Sequence, residues 1–187
     1  MESTVDREES LTTLMVAYQG GDVEAFEKLY AAMAGPILGY LRMLTRDATR
    51  ADDLLQETFF HVHRARHTYD PTRSAKAWIY AIAHNVFLMY RRASGRLGKH
   101  EGLAEGEMPD VPVPPEIEGL ADRDLLRRAL AQLPEDRREA LLLHHVEGLS
   151  FQEIGAVQGA TAGAAKLRAH RGMVLLRGIL GGKGMVG

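Results

Sequence analysis

The chain contains no cysteine, one tryptophan among 187 residues and only 6% aromatic residues in all. The missing cysteine excludes disulfides, thiolate metal sites and thiol nucleophiles. No apolar run approaches the roughly 18 residues that a membrane-spanning helix needs. The opening stretch MESTVDREESLTT is acidic and lacks the basic-then-apolar pattern of a secretory signal, so the expectation is a soluble cytoplasmic protein with no membrane insertion of its own. Alternating strand patterns bounded by hairpin turns are also missing. A net charge of −2 argues weakly against a protein that coats nucleic acid with its whole surface.

What the chain does have is apolar residues, at 45%, enough for one ordinary domain or two small ones. Its charge is unevenly placed. Glu101, Glu105, Glu107, Asp110, Glu116 and Glu118 lie in a stretch without Lys or Arg, whereas Lys166, Arg168, Arg171, Arg177 and Lys183 lie in a tail without acids. Phosphates would be repelled by the first stretch and attracted by the second.

Helical spacing dominates, which predicts an all-α chain. Leu11, Leu14, Met15 and Tyr18 form a stripe ending at Gly20-Gly21. Asp22 is placed to cap a second helix through Phe26, Leu29, Tyr30 and Met33, with a bend expected at Gly35-Pro36 before Ile37, Leu41 and Leu44. Asp47 opens a third helix with the stripe Ala51, Leu54, Leu55, Thr58, Phe59 and Val62. HTYDPTRS, 67–74, is a break. Ser74 caps a fourth helix from Ala75 to about Arg92, with Trp78, Ile82, Val86 and Met89 one turn apart. The expected organisation is a helical domain over 1–93, a flexible glycine- and proline-rich linker over 94–117, and a second helical domain over 118–187. In the second, one helix covers Leu120 to Leu133, Pro134 is placed at the first position of the next, over Glu135 to Glu147, and a helical hairpin follows.

That hairpin is LSFQEIGAVQGATAGAAKLRAHRG, 149–172. Ser150 and Glu153 have the spacing of a capping box, Ile154 and Val157 face inward, Gly159 supplies the turn and Thr161 caps the second helix. Lys166, Arg168, His170 and Arg171 crowd that helix without an acid beside them. The pattern suits a helix-turn-helix whose second helix enters the DNA major groove, with a small hairpin that carries a solvated basic face as the alternative.

Two further clusters bear on the choice. In ADDLLQETFFHVHRARHTYD, Asp52, Asp53, Gln56 and Glu57 form a polar face opposite Leu54, Leu55 and Phe59. Such acids near His61 and His63 admit a metal or acid–base role, but an exposed interaction face fits better if Leu55 and Phe59 are core. AWIYAIAHNVFLMYRR carries Trp78, Tyr80, Phe87 and Tyr90, which cannot all enter one small core. Aromatic surface beside Arg91, Arg92 and Arg96 suits unstacked bases above a phosphate track.

Taken in order, DDLLQETFFHVHRARHTYDPTRSAKAWIYAIAHNVFLMYRR and LAQLPEDRREALLLHHVEGLSFQEIG resemble the second and fourth conserved regions of bacterial sigma-70 family sigma factors, in the extracytoplasmic-function (ECF) group. The resemblance implies a non-enzymatic promoter-specificity factor without cofactor or metal. Its partners would be the RNA polymerase core (β′ clamp helices and β subunit), promoter DNA in double- and single-stranded form, and an anti-sigma factor. It implies that Asp52, Asp53, Gln56 and Glu57 bind the β′ clamp helices. Tyr69, Asp70, Thr72, Arg73, Trp78, Tyr80, Asn85, Arg91 and Arg92 would melt and capture the −10 element, extruding a base without cleaving any bond. Thr161, Lys166, Arg168, His170 and Arg171 would bind the −35 element, Lys166 and His170 at base edges, Arg168 and Arg171 at phosphates. The acidic linker would pass near the RNA exit path.

The chain departs from the family pattern in its hairpin. Gln158 stands where a bulky apolar residue is usual, which implies looser packing. Ala164, Ala165, Leu167 and Ala169 replace larger or more polar residues, so altered −35 contacts are expected. Two other functions remain as alternatives: a two-domain regulator that dimerises through its N-terminal helices, and a metal-dependent hydrolase built on the third helix.

Overall fold

A computed structural model describes residues 4–97 and 123–183. Among them are eight α-helices and no strand, in two compact units that divide between Gly106 and Glu107. The first unit holds α1 (Thr4–Gln19), α2 (Val23–Thr45), α3 (Ala48–Ala65) and α4 (Ala75–Leu97). The second holds α5 (Arg123–Ala131), α6 (Glu135–His145), α7 (Phe151–Gln158) and α8 (Ala162–Lys183).

Local signals set the helix ends in the first unit. Gly21 turns the chain at φ 98°, and the Asp22 carboxylate accepts from the Ala25 amide at 3.1 Å. Asp47 does the same for Arg50 at 3.1 Å, and the Ser74 hydroxyl for Ala77 at 3.0 Å. Each cap satisfies an amide that the helix leaves without a partner and contributes about 1 kcal/mol. The bend expected at Gly35-Pro36 does not end the helix. Val23–Thr45 is one element, and Pro36 lies on its exposed side, where solvent can compensate for the missing amide.

Leu11, Met15 and Tyr18 of α1, Leu29, Met33, Ile37 and Leu41 of α2, and Leu54, Phe59 and Val62 of α3 meet in one buried core. From α4 that core takes Ala75, Ile79, Tyr80, Ala83, Val86 and Phe87. The expected stripe of Trp78, Ile82, Val86 and Met89 is therefore displaced by about one position. Trp78 and Ile82 are half-buried and Met89 is exposed. A helix apolar on most sides offers two stripes of the same period, and the small Ala75 and Ala83 let the inner one approach closely. Helix α4 also continues to Leu97, so residues 94–97 are helical and not linker; Gly95 is exposed, and its tolerance there costs only backbone entropy. The rest of the expected linker, and the expected helix start at Leu120, lie outside the described residues.

In the second unit, Leu126, Leu130, Leu141, Ile154, Val157, Ala165, Ala169 and Leu176 are buried together. Pro134 caps α6 with φ −52° and ψ 140° and is not its first helical residue, because its extended ψ keeps it outside the helix while its carbonyl accepts from Arg138 at 2.9 Å. Two glycines set the spacing of helices. A Cβ on Gly155 would stand 2.7 Å from the Ala160 carbonyl oxygen, and one on Gly172 would stand 2.9 Å from that of Arg137.

Candidate polymerase and nucleic-acid interfaces

Helix α3 buries Leu54, Leu55, Thr58 and Phe59, which leaves Asp52, Asp53, Gln56 and Glu57 exposed together on its outer face. The acids are loosely paired. Arg42 reaches Asp52 at 3.6 Å, Arg50 reaches Asp53 at 3.8 Å and His61 reaches Glu57 at 3.8 Å. Exposed pairs of this kind are worth at most about 1 kcal/mol each, so a cationic partner exchanges for them at little cost. One turn beyond Gln56, Phe60 is 56% exposed, with the Arg64 guanidinium 5.7 Å above its ring. Sequence reasoning passed over Phe60. Its signal was that Phe60 falls outside the buried stripe Leu54, Leu55, Thr58, Phe59 and Val62.

The segment between α3 and α4 is a single 3-10 turn, Arg66–Thr68, and a loop braced by side-chain hydrogen bonds. Gln19 at the end of α1 donates both amide hydrogens across it, to the carbonyls of Arg66 at 2.7 Å and Tyr69 at 2.8 Å. The Tyr69 hydroxyl donates to the Arg73 carbonyl at 2.7 Å, and its ring packs against Trp78 at 5.4 Å between centroids. Asp70 accepts from the Thr72 amide at 2.9 Å and the Thr72 hydroxyl at 2.7 Å. Those two bonds, with a smaller contribution from Arg73, hold the Asp70 carboxyl below the ordinary carboxylate range. Gln19 was the residue of this loop's support least visible in the sequence, because its partners are 47 and 50 positions away.

The structure sorts the expected −10 residues. Asp70, Thr72, Arg73, Asn85, Arg91 and Arg92 are exposed, and Trp78 is half-buried. Tyr69 is buried and anchors the loop. Tyr80 is fully buried, edge-on to Tyr40 at 5.1 Å, so the expectation that its ring stacks on a base is corrected: it is core. Trp78, Asn85 and Arg92 recur every seven residues and therefore lie on one face of α4, which extends about 20 Å from the loop.

In the second unit the hairpin forms as its spacing requires. Ser150 and Glu153 make a reciprocal capping box, Gly159 adopts φ 62° and the Thr161 hydroxyl accepts from the Ala164 amide at 3.1 Å. Helix α8 buries Ala165, Ala169, Met173 and Leu176 and exposes Lys166, Leu167, His170, Arg171 and Val174. Arg168 is turned aside. It donates to the Gln158 side-chain oxygen at 3.0 Å and its Nε lies 3.3 Å from Asp136. Gln158 in turn donates to the Asp136 carbonyl at 3.0 Å and to Glu139 at 2.8 Å. The looser packing expected at Gln158 is thus not what is found, since hydrogen bonds to two other helices replace the apolar contact.

No group of three or more His, Asp or Glu side chains is placed to hold a metal among the described residues. No helix there is long and apolar enough to cross a membrane.

Residues 29–97 match the family model for sigma-70 region 2, and residues 123–176 that for sigma-70 region 4. The chain belongs to the sigma-70 family, in its ECF group. It is 39% identical over 167 residues to the RNA polymerase sigma factor CarQ of Myxococcus xanthus, covering 89% of this chain and 95% of that protein. It is 32% identical to the ECF RNA polymerase sigma factor SigF of Caulobacter vibrioides, covering 91% of this chain and 94% of that one. Among solved structures, it is similar to the sigma factor RpoE in complex with the anti-sigma factor NepR from Bartonella quintana. That match has a TM-score of 0.68 and 24% identity over 84% of this chain and 98% of the other. CnrH in complex with the cytosolic domain of CnrY matches with a TM-score of 0.67 and 25% identity, covering 92% and 98%. Region 2 of this sigma factor carries the acidic face and the clamped loop; region 4 carries the hairpin.

Proposed function

We propose that this sigma factor binds the polymerase core through α3, opens and holds the −10 element on the 69–74 loop and the outer face of α4, and docks α8 in the major groove of the −35 element. The observation that carries the proposal is the coexistence, in one chain, of an exposed acidic face, a loop braced by side-chain hydrogen bonds and a capped hairpin with a basic reading face. A regulator that only binds duplex DNA has use for the third feature alone. The polymerase performs the phosphoryl transfer, so this chain needs no catalytic group, metal or cofactor and works in the cytoplasm beside the chromosome. Base capture falls to Asp70, Thr72, Arg73, Trp78 and Asn85, with Arg91 and Arg92 along the phosphates. Lys166 and His170 address base edges, and Arg171 addresses a phosphate. An anti-sigma factor is its proposed restraint.

The core interface is tested by Asp53→Lys, which reverses one charge on an exposed side chain whose ion pair is with Arg50. The expected result is loss of binding to purified core polymerase, by roughly a hundredfold or more, with an unchanged helical spectrum. Unchanged affinity would remove Asp53 from the interface.

A further inference from the structure

We infer that Arg168 serves the reading helix as a positioning residue, fixing how α8 sits on α6 and α7, and that it makes no phosphate contact. This inference rests on α8 being the duplex reader, as proposed above.

The guanidinium has a planar fork of donors with a fixed geometry. Two of its directions are already taken, one by Gln158 at 3.0 Å and one by Asp136 at 3.3 Å. Gln158 extends the same bracket to the Asp136 carbonyl and to Glu139, a carboxylate that is itself buried. Three helices therefore share one connected set of polar bonds, in which Gln158 uses its oxygen and its nitrogen at once. Withdrawing Arg168 to reach a phosphate would leave the Gln158 oxygen and the Asp136 carboxylate without that donor. The arginine side chain is 32% exposed, whereas Lys166 and Arg171 stand among the exposed residues of the helix.

Charge points the same way. Salt dependence in DNA binding counts the cations that neutralise phosphates and release counterions. A guanidinium paired with a carboxylate presents almost no net charge to a duplex. Helix α8 itself contains no acid, so Asp136 on α6 is the carboxylate that cancels Arg168. The bracket adds polar bonds to the apolar seat that Ala165, Ala169, Met173 and Leu176 give the helix.

The experiment uses the full chain assembled with core polymerase, and as probe the duplex which that complex enriches from a randomised pool. Affinity is measured over a series of salt concentrations for the wild type, Arg168→Lys, Asp136→Asn and Arg171→Ala. Lysine keeps the charge but lacks the fork. Arg168→Lys is therefore expected to weaken binding roughly fivefold with an unchanged salt slope, and Asp136→Asn to weaken it in the same direction. Arg171→Ala is expected to lower the slope by about one. The inference is overturned if Arg168→Lys binds like the wild type, or if Asp136→Asn tightens binding by releasing an arginine to the phosphates. Failure to enrich any duplex, or an Arg171→Ala variant identical to wild type, would instead overturn the duplex-reading role of α8.

Discussion

The loop that joins α3 to α4 and the turn that joins α7 to α8 are both reversals of chain held in one conformation, and they are held by opposite means. The first is pinned by side chains that reach in: Gln19 across two carbonyls, Tyr69 onto Arg73, Asp70 onto Thr72. The second is possible because side chains are missing. Gly155 has the Ala160 carbonyl in its Cβ position, and Gly159 takes a left-handed φ. Bonds that reach in are lost one at a time, so the loop should degrade by degrees. A backbone contact that leaves no room for one methyl group should fail at once.

The sharpest way to break this contrast is Gly155→Ala. Its new methyl would meet backbone and not a yielding side chain, so the second unit is expected to lose about 1–3 kcal/mol, read from urea denaturation of the full chain. A loss below a few tenths would mean that the turn relaxes and that the contrast is false. Next in size is Gln19→Leu. Two part-buried carbonyls lose their donor, which should cost about 1–2 kcal/mol and slow promoter opening, while affinity for core polymerase stays at the wild-type value. Equal losses in opening and in core binding would show a general defect of the first unit. Thr161→Ala removes one helix cap and should cost about 1 kcal/mol, again in the second unit alone.

The smallest effect concerns pH. The Asp70 carboxyl is held below its ordinary value of 3.8, so its contribution to the loop is fully present above that value and lost as pH falls through the lower folded value. The Thr72 amide should therefore titrate with a midpoint under 3.8 in nuclear magnetic resonance. A midpoint at or above 3.8 would mean that the Asp70–Thr72 bonds do not form in solution.

What the sequence revealed, and what it hid, follows from the range of the interactions. Asp22, Asp47, Ser74, Ser150 with Glu153, Gly159 and Thr161 were all legible because a cap is a contact over three residues. The acidic face was legible because Leu55 and Phe59 leave Asp53 and Glu57 one side to occupy. The phase of α4 was not. Its apolar residues fill two adjacent stripes of equal period, and packing against the other helices, Tyr40 among them, decides that Tyr80 goes inside. Gln19 and the bracket of Asp136, Glu139, Gln158 and Arg168 were hidden for another reason: their bonds join residues between 10 and 50 positions apart. A basic residue among basic residues looks like a phosphate contact until an acid from another helix is found beside it.

The central claim, that one chain carries a polymerase-binding face, a strand-opening loop and a duplex reader, is tested most directly by transcription in vitro with purified core polymerase on the duplex enriched as above. The account predicts that adding the protein produces transcripts from one defined start site. It also predicts that Asp53→Lys abolishes them. A protein that protects that duplex alone, yet yields no new transcript with core polymerase, would contradict it.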